Sequence, residues 1–139
     1  MAANPYGQIC WLEVPVTSVS RAAKFYSSTL GWESKDTKGG PSPIAGVKSA
    51  HLFSNGTLHG AFLLMSDQGA IAQVADPNRL EKSALVATFL VESIEETMTK
   101  IEAAGGKCHI PKTAVGGGMG YLARFIDTEG NLAGIWAKQ

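Results

Sequence analysis

Few side chains in this chain have the type and setting to do chemistry, and Glu13 is the most informative of them. It lies two residues from Trp11 in a segment, residues 8–14, that is otherwise rich in strand-forming residues. Alternation along a strand puts Trp11 and Glu13 on one face. If that face is buried, desolvation raises the pKa of a carboxylate among apolar neighbours, unless a cation or hydrogen-bond donors oppose it. Such a group anchors a cationic ligand or works as a general acid or base. Its structural alternatives are an ion pair with Arg124 or Lys112, or exposure at a sheet edge. His51 and His59 fall in successive strand-like segments, so Glu13, His59 and one more donor would make a non-standard metal site. His109 reads as a surface or loop-edge histidine. Cys10 and Cys108 lie far apart without C-x-x-C spacing and read as reduced thiols buried in strands, although sequence alone leaves a disulfide between them open.

The elements that position these groups repeat. After the strand at 8–14, which Pro15 limits, Thr17 and Ser18 supply an N-cap. Val19, Ala22, Ala23, Tyr26 and Leu30 then mark one face of a helix that Gly31 ends. Strand-like segments follow at 32–37, 47–54 and 58–65. The second half reads the same way: a strand at 84–91, a capping box from Ser93 to Glu96, and a helix striped by Ile94, Met98 and Ile101 that stops at Gly105-Gly106. Strands are expected at 106–110, 119–126 and 132–137. An offset of 75 carries Ser18 to Ser93, Val19 to Ile94, Ala23 to Met98 and Gly31 to Gly106. An offset of 74 lays Gly56 and Gly60 over Gly130 and Gly134. These coincidences of role argue for internal duplication. The chain divides into a first βαβββ module at 8–65, a polar linker at 66–83 with turn chemistry at Asp76-Pro77-Asn78, and a second module at 84–137. Two loops look mobile, 38–43 and the glycine-rich 112–120.

Composition bounds the partners. The 139 residues are 45% hydrophobic and 17% charged, with twelve basic side chains balancing twelve acidic ones. A chain of this make-up folds without disulfide or metal support and carries no electrostatic footprint for nucleic acid or an anionic membrane. Its longest apolar runs are about six residues, far short of the ~20 that span a bilayer. With no signal-like N-terminus, a cytoplasmic location is expected.

Two motifs carry a family resemblance. One runs from Glu13 to Trp32, with Arg21, Phe25 and Tyr26 in Arg-x-x-x-Phe-Tyr spacing and a Leu30-Gly31-Trp32 ending. The other is Phe125-Ile126-Asp127-Thr128-Glu129-Gly130-Asn131, in which Thr128 replaces a proline. With both, nearly the whole chain resembles the vicinal oxygen chelate superfamily of glyoxalase I, bleomycin-resistance proteins and extradiol dioxygenases. That resemblance implies an α+β fold of two tandem βαβββ modules whose curved mixed sheets surround an open cleft, assembled as a homodimer. It also implies a divalent metal held by one side chain from the first and one from the last strand of each module. Carried over, those positions are Trp11, Gly60, Val86 and Gly134. None can donate to a metal, so no metal and no other cofactor is expected.

Period-two alternation from these four positions adds Glu13, Phe62, Thr88 and Trp136 to the cleft wall. Tyr121, beside the glycine loop with Met119, is a further ligand-binding candidate, and Arg124 a candidate to neutralise an anion. Phe25, Tyr26 and Trp32 are assigned to packing. The expected function is metal-free binding of a small, largely apolar or aromatic molecule, with Glu13 as the one candidate catalytic group. Two alternatives stand beside it: a glyoxalase-like lyase or isomerase with an unusual metal site or Glu13 as acid or base, and a regulatory or structural dimer.

Overall fold

The computed structural model describes residues 6–34 and 38–139. Its elements are β1 (Leu12–Val16), α1 (Val19–Leu30), β2 (Glu33–Ser34), β3 (Val47–Asn55), β4 (Leu58–Met65), a 3₁₀ turn (Gln68–Ala70), β5 (Thr88–Leu90), α2 (Ile94–Ala103), β6 (Lys107–Ala114), β7 (Tyr121–Ile126) and β8 (Leu132–Ala137). They make βαβββ twice. Each copy closes a four-stranded mixed sheet, ordered β1-β4-β3-β2 and β5-β8-β7-β6, in which the first strand pairs parallel with the last.

The boundaries depart from sequence expectation where tertiary context decides. β1 runs through Pro15 instead of stopping before it. The Pro15 carbonyl accepts from Asn131 Nδ2 at 2.9 Å, so that side of the residue faces away from β4. The missing N–H then falls on the free edge of the sheet, where no ladder bond needs it. β5 is shorter than the expected 84–91, and β6 is longer than 106–110, carried past Pro111 by two register shifts. Of the strand expected at 32–37, Glu33–Ser34 is present and residues 35–37 lie outside the described residues.

Both helices and the inner faces of both sheets enclose one core. Trp32 stacks on Tyr26 (ring centroids 4.2 Å) and on Phe53 (4.3 Å), and meets Phe89 of the second module edge-on at 5.4 Å. Phe25 reaches Phe125 of the second module at 6.1 Å. The helix aromatics therefore join the modules, as their assignment to packing requires. Two expectations fail. Cys10 and Cys108 are free thiols but exposed rather than strand-buried; β6 is an edge strand, and Cys108 lies beside α2 where that edge opens to solvent. His109 is buried, not at a loop edge, because β6 extends past it.

The two sequence motifs form one physical unit across the module boundary. Ser18 caps α1 by accepting from Arg21 N, as Ser93 caps α2 by accepting from Glu96 N. In a capping box the third helical residue reaches back to the cap's own N–H. α1 has no acidic residue in its first turn. Glu129, from the β7–β8 turn, takes that role: its Oε1 accepts from the backbone N–H of Thr17 at 2.9 Å and of Ser18 at 3.1 Å. The Arg21 guanidinium clamps the same carboxylate, Nε to Oε2 at 2.6 Å and Nη2 to Oε1 at 2.9 Å. Burial alone would push the Glu129 pKa up. Arg21, the two amides and Thr128 together outweigh it and hold the group below the usual carboxylate range. One turn further along α1, Tyr26 donates its hydroxyl to Asp127 at 2.6 Å, while Asp127 also accepts from the amides of Glu129 and Asn131. Burial, then the Asp127 charge, pushes the Tyr26 hydroxyl well above its ordinary pKa. Tyr26→Phe is expected to cost about 1.5–3 kcal/mol in urea denaturation, the size of a lost hydrogen bond to a charged acceptor.

Candidate ligand-binding site

Strand register sorts the expected cleft residues onto two faces. In the first module β1 pairs Leu12 with Gly60, Glu13 with Ala61 and Val14 with Phe62. Leu12 and Val14 pack in the core, so Gly60 and Phe62 face the core as well. Phe62 is 1% exposed and tilts against Tyr26 and Trp32. A Cβ on Gly60 would meet the Leu12 carbonyl oxygen and the Phe53 ring. These two assignments to the cleft wall are corrected. The offset of 74 matched glycine to glycine, and a one-residue slip turns a whole strand over. β4 presents Ala61 instead, beside Glu13, on the face turned away from the helices. Tyr121 is likewise displaced from the candidate site. Its partner on β8 is Ala137, a core residue, and Lys112 sits over its ring at 4.4 Å.

The second module keeps the expected facing. Thr88 pairs with Gly134, and Arg124 pairs with Gly134 from the other side. The core takes Ala123, Phe125, Ala133 and Ile135, which leaves Leu122, Arg124, Leu132, Gly134 and Trp136 on the opposite face with Thr88. Trp136 Nε1 donates to the Met119 carbonyl oxygen at 2.9 Å. The glycine loop is thereby tied to the rim of this face.

Trp11, Glu13 and Val86 meet at the seam between the two edge strands. A groove of about 370 Å³ opens there, lined by Ile9, Trp11 and Glu13 from the first module and by Leu85, Val86 and Leu132 from the second, and it reaches inward to Tyr26 and Trp32. Its volume lies within the range of small-molecule sites, and Glu13 is the only charged side chain lining it. Glu13 is exposed, the sheet-edge alternative to a buried carboxylate, and among the described residues it makes no hydrogen bond or ion pair. The unpartnered edge of β1 exposes it to solvent. Sequence reasoning missed Ile9, Leu85 and Leu132 as lining residues. Ile9 and Leu132 lie one step of alternation beyond Trp11 and Gly134, whereas Leu85 has the opposite parity to Val86 and precedes β5, so alternation gave no signal for it.

The architecture is a two-module βαβββ chain with its helices packed together and a groove at the seam of its sheets. The family profile of the Glyoxalase/Bleomycin resistance protein/Dioxygenase superfamily matches residues 8–135, and the chain belongs to that superfamily. A glyoxylase-like domain-containing protein of Didymella fabae is 30% identical over 133 residues, covering 96% of this chain and 95% of that protein. Among solved structures, a glyoxylase/bleomycin resistance protein/dioxygenase domain from Frankia sp. EAN1pec superposes with a TM-score of 0.70 at 15% identity, covering 97% of this chain and 100% of the other. A genomically encoded fosfomycin resistance protein from Listeria monocytogenes does so with a TM-score of 0.67 at 14% identity, covering 96% and 94%. At these identities the structural likeness establishes the fold alone.

Whether a divalent metal fits can be tested residue by residue. The positions that the resemblance assigns to a metal hold Trp11, Gly60, Val86 and Gly134, and the β4 residue that shares the face of Glu13 is Ala61. None has a donor atom in its side chain. Glu13 and His59 share a face of the first sheet, but among the described residues no group of three or more His, Cys, Asp or Glu comes together. The residues present do not fit the metal. Among the described residues, no helix is long and apolar enough to cross a membrane.

Proposed function

We propose that the protein binds a small, largely apolar or aromatic molecule at the module seam without a divalent metal. The groove carries this reading: it has ligand-sized volume, an indole and aliphatic walls, and a single carboxylate. An apolar body gains from leaving water against Trp11, Val86 and Leu132, at roughly 25 cal/mol per Å² of apolar surface buried, and Glu13 supplies one polar anchor. The protein works as a homodimer in this proposal. Ile9, Leu85 and Leu90 stand exposed beside the free edges of β1 and β5, and a second copy covers them.

Native mass spectrometry of protein purified without chelator tests the metal and the assembly together. A dimer mass without bound metal is expected, and one divalent ion per subunit would overturn the reading. Tryptophan fluorescence tests the binding. Titration with a neutral naphthalene derivative is expected to change the emission at micromolar to millimolar concentrations, equally with and without EDTA. Trp11→Ala should weaken this binding about tenfold, while a response unaffected by Trp11→Ala would place the ligand elsewhere.

A further inference from the structure

Arg124 is an unpaired cation in an unusual setting. It sits mid-strand on β7, the second strand of its sheet, between Ile110 on β6 and Gly134 on β8. Its neighbours on that face are Leu122, Ile126, Leu132 and the Trp136 indole. Its exposure is intermediate, and among the described residues it has neither an ion pair nor a hydrogen bond. The position opposite it holds no side chain. A Cβ placed on Gly134 would lie 2.8 Å from Thr88 Oγ1, so the Thr88 hydroxyl borders the same empty spot and is itself unpartnered. A guanidinium and a hydroxyl thus flank a gap in an otherwise apolar face. Five N–H donors in a planar fork match a carboxylate, and desolvating apolar neighbours make such a contact stronger than it would be in free solution.

We infer that this is an anion subsite, and that the ligand of the seam groove is an aromatic or aliphatic carboxylate whose acid group is held by Arg124 and Thr88. This rests on the proposed binding at the seam and specifies its chemistry. The two places are continuous. Val86, just ahead of β5, lines the groove, and Thr88, the first residue of β5, borders the gap. Leu132 and Gly134 repeat that relation on β8. Two residues along a strand and one strand across span roughly 7 and 5 Å, so the molecule that fits has an apolar body within about 10 Å of a single carboxylate. Glu13, the carboxylate that lines the groove, repels a second acid group there, which leaves the acid of the molecule to Arg124.

The test pairs naphthalene-2-carboxylate with its neutral carboxamide, titrated by tryptophan fluorescence and calorimetry against wild type, Arg124→Gln and Arg124→Lys, each checked for a wild-type melting profile. The carboxylate is expected to bind wild type about tenfold tighter than the amide. Arg124→Gln should abolish that preference, with Arg124→Lys intermediate. Equal binding of acid and amide to wild type overturns the anion subsite and leaves the seam binder standing. Binding of neither probe brings down both. If Arg124→Gln and Glu13→Gln each turn a dimer into a monomer and the acid has no advantage, Arg124 is instead the partner of Glu13 in a second copy, and the inference fails.

Discussion

Replacing Glu129 by alanine is expected to lower the free energy of unfolding by about 3 kcal/mol. The carboxylate is fully buried and holds five groups at once: the Arg21 guanidinium, the amides of Thr17 and Ser18, and the hydroxyls of Thr17 and Thr128. Breaking a buried ion pair typically costs 3–5 kcal/mol, because the surviving charge is left without a partner. Here half of the Arg21 side chain remains in solvent, which reduces that part. The orphaned amides at the start of α1 add about 1 kcal/mol, as for a lost cap. Against a total stability of roughly 5–15 kcal/mol the change is large, and urea denaturation at pH 7 measures it. A loss below about 1 kcal/mol would mean that the inter-module clamp does not hold α1 in place.

The same carboxylate makes stability depend on pH with a predictable sign. The Glu129 pKa is lower in the folded chain than in the unfolded one. Its contribution is therefore present above the ordinary carboxylate range and is lost as pH falls through the depressed folded value. Asp127 runs the other way. Burial raises its pKa against the hydrogen bonds from Tyr26 and Asn131, so its contribution is present below the unfolded value and lost as pH rises through the folded one. The two partly cancel in the wild type. Comparison with Glu129→Gln separates them, because Asp127 is common to both proteins. The stability gap between wild type and variant should be widest near pH 7 and close steadily on acidification below pH 4.

How much of this was legible beforehand depended on whether the determining forces were local. Caps, helix stripes and stop glycines are written within a few residues of where they act, so α1 and α2 begin at Val19 and Ile94, as Ser18 and Ser93 foretell. Tandem duplication followed from them. The carboxylate that completes the cap of α1 stands more than a hundred residues away, and no local pattern points to it. Recognition had marked the Arg21 and Glu129 motifs as a pair without giving their physical connection. For the site, alternation from Val86 and Gly134 put Thr88 and Trp136 on the correct face, while the first module went wrong at one strand. Of the groove walls, Ile9 and Leu132 lay one step of alternation beyond Trp11 and Gly134, while Leu85, ahead of β5, was invisible to a period-two argument.

The strand that went wrong yields the second large effect, a contrast between two glycines that sequence treats as equivalents. Gly60→Ala is expected to cost about 3 kcal/mol or more and to leave the protein poorly folded at 37 °C. Its Cβ points into backbone, at the Leu12 carbonyl oxygen of the paired strand, with the Phe53 ring 2.5 Å away on the other side. Neither can yield without separating β1 from β4 or breaking the Trp32–Phe53 stack, and overpacking of this kind typically costs 1–3 kcal/mol even where a neighbour can shift. Gly134→Ala meets the end of a rotatable side chain, Thr88 Oγ1 at 2.8 Å, with Ala123 O no nearer than 3.5 Å. Rotation of the threonine relieves the contact, so this variant should stay within about 1 kcal/mol of wild type. Its new methyl group fills the gap beside Arg124, however, and should weaken binding of naphthalene-2-carboxylate several-fold. Thermal melts of the two variants side by side decide the register. A stable Gly60→Ala with an unstable Gly134→Ala would reverse the faces of both last strands, and would return Gly60 and Phe62 to the ligand side.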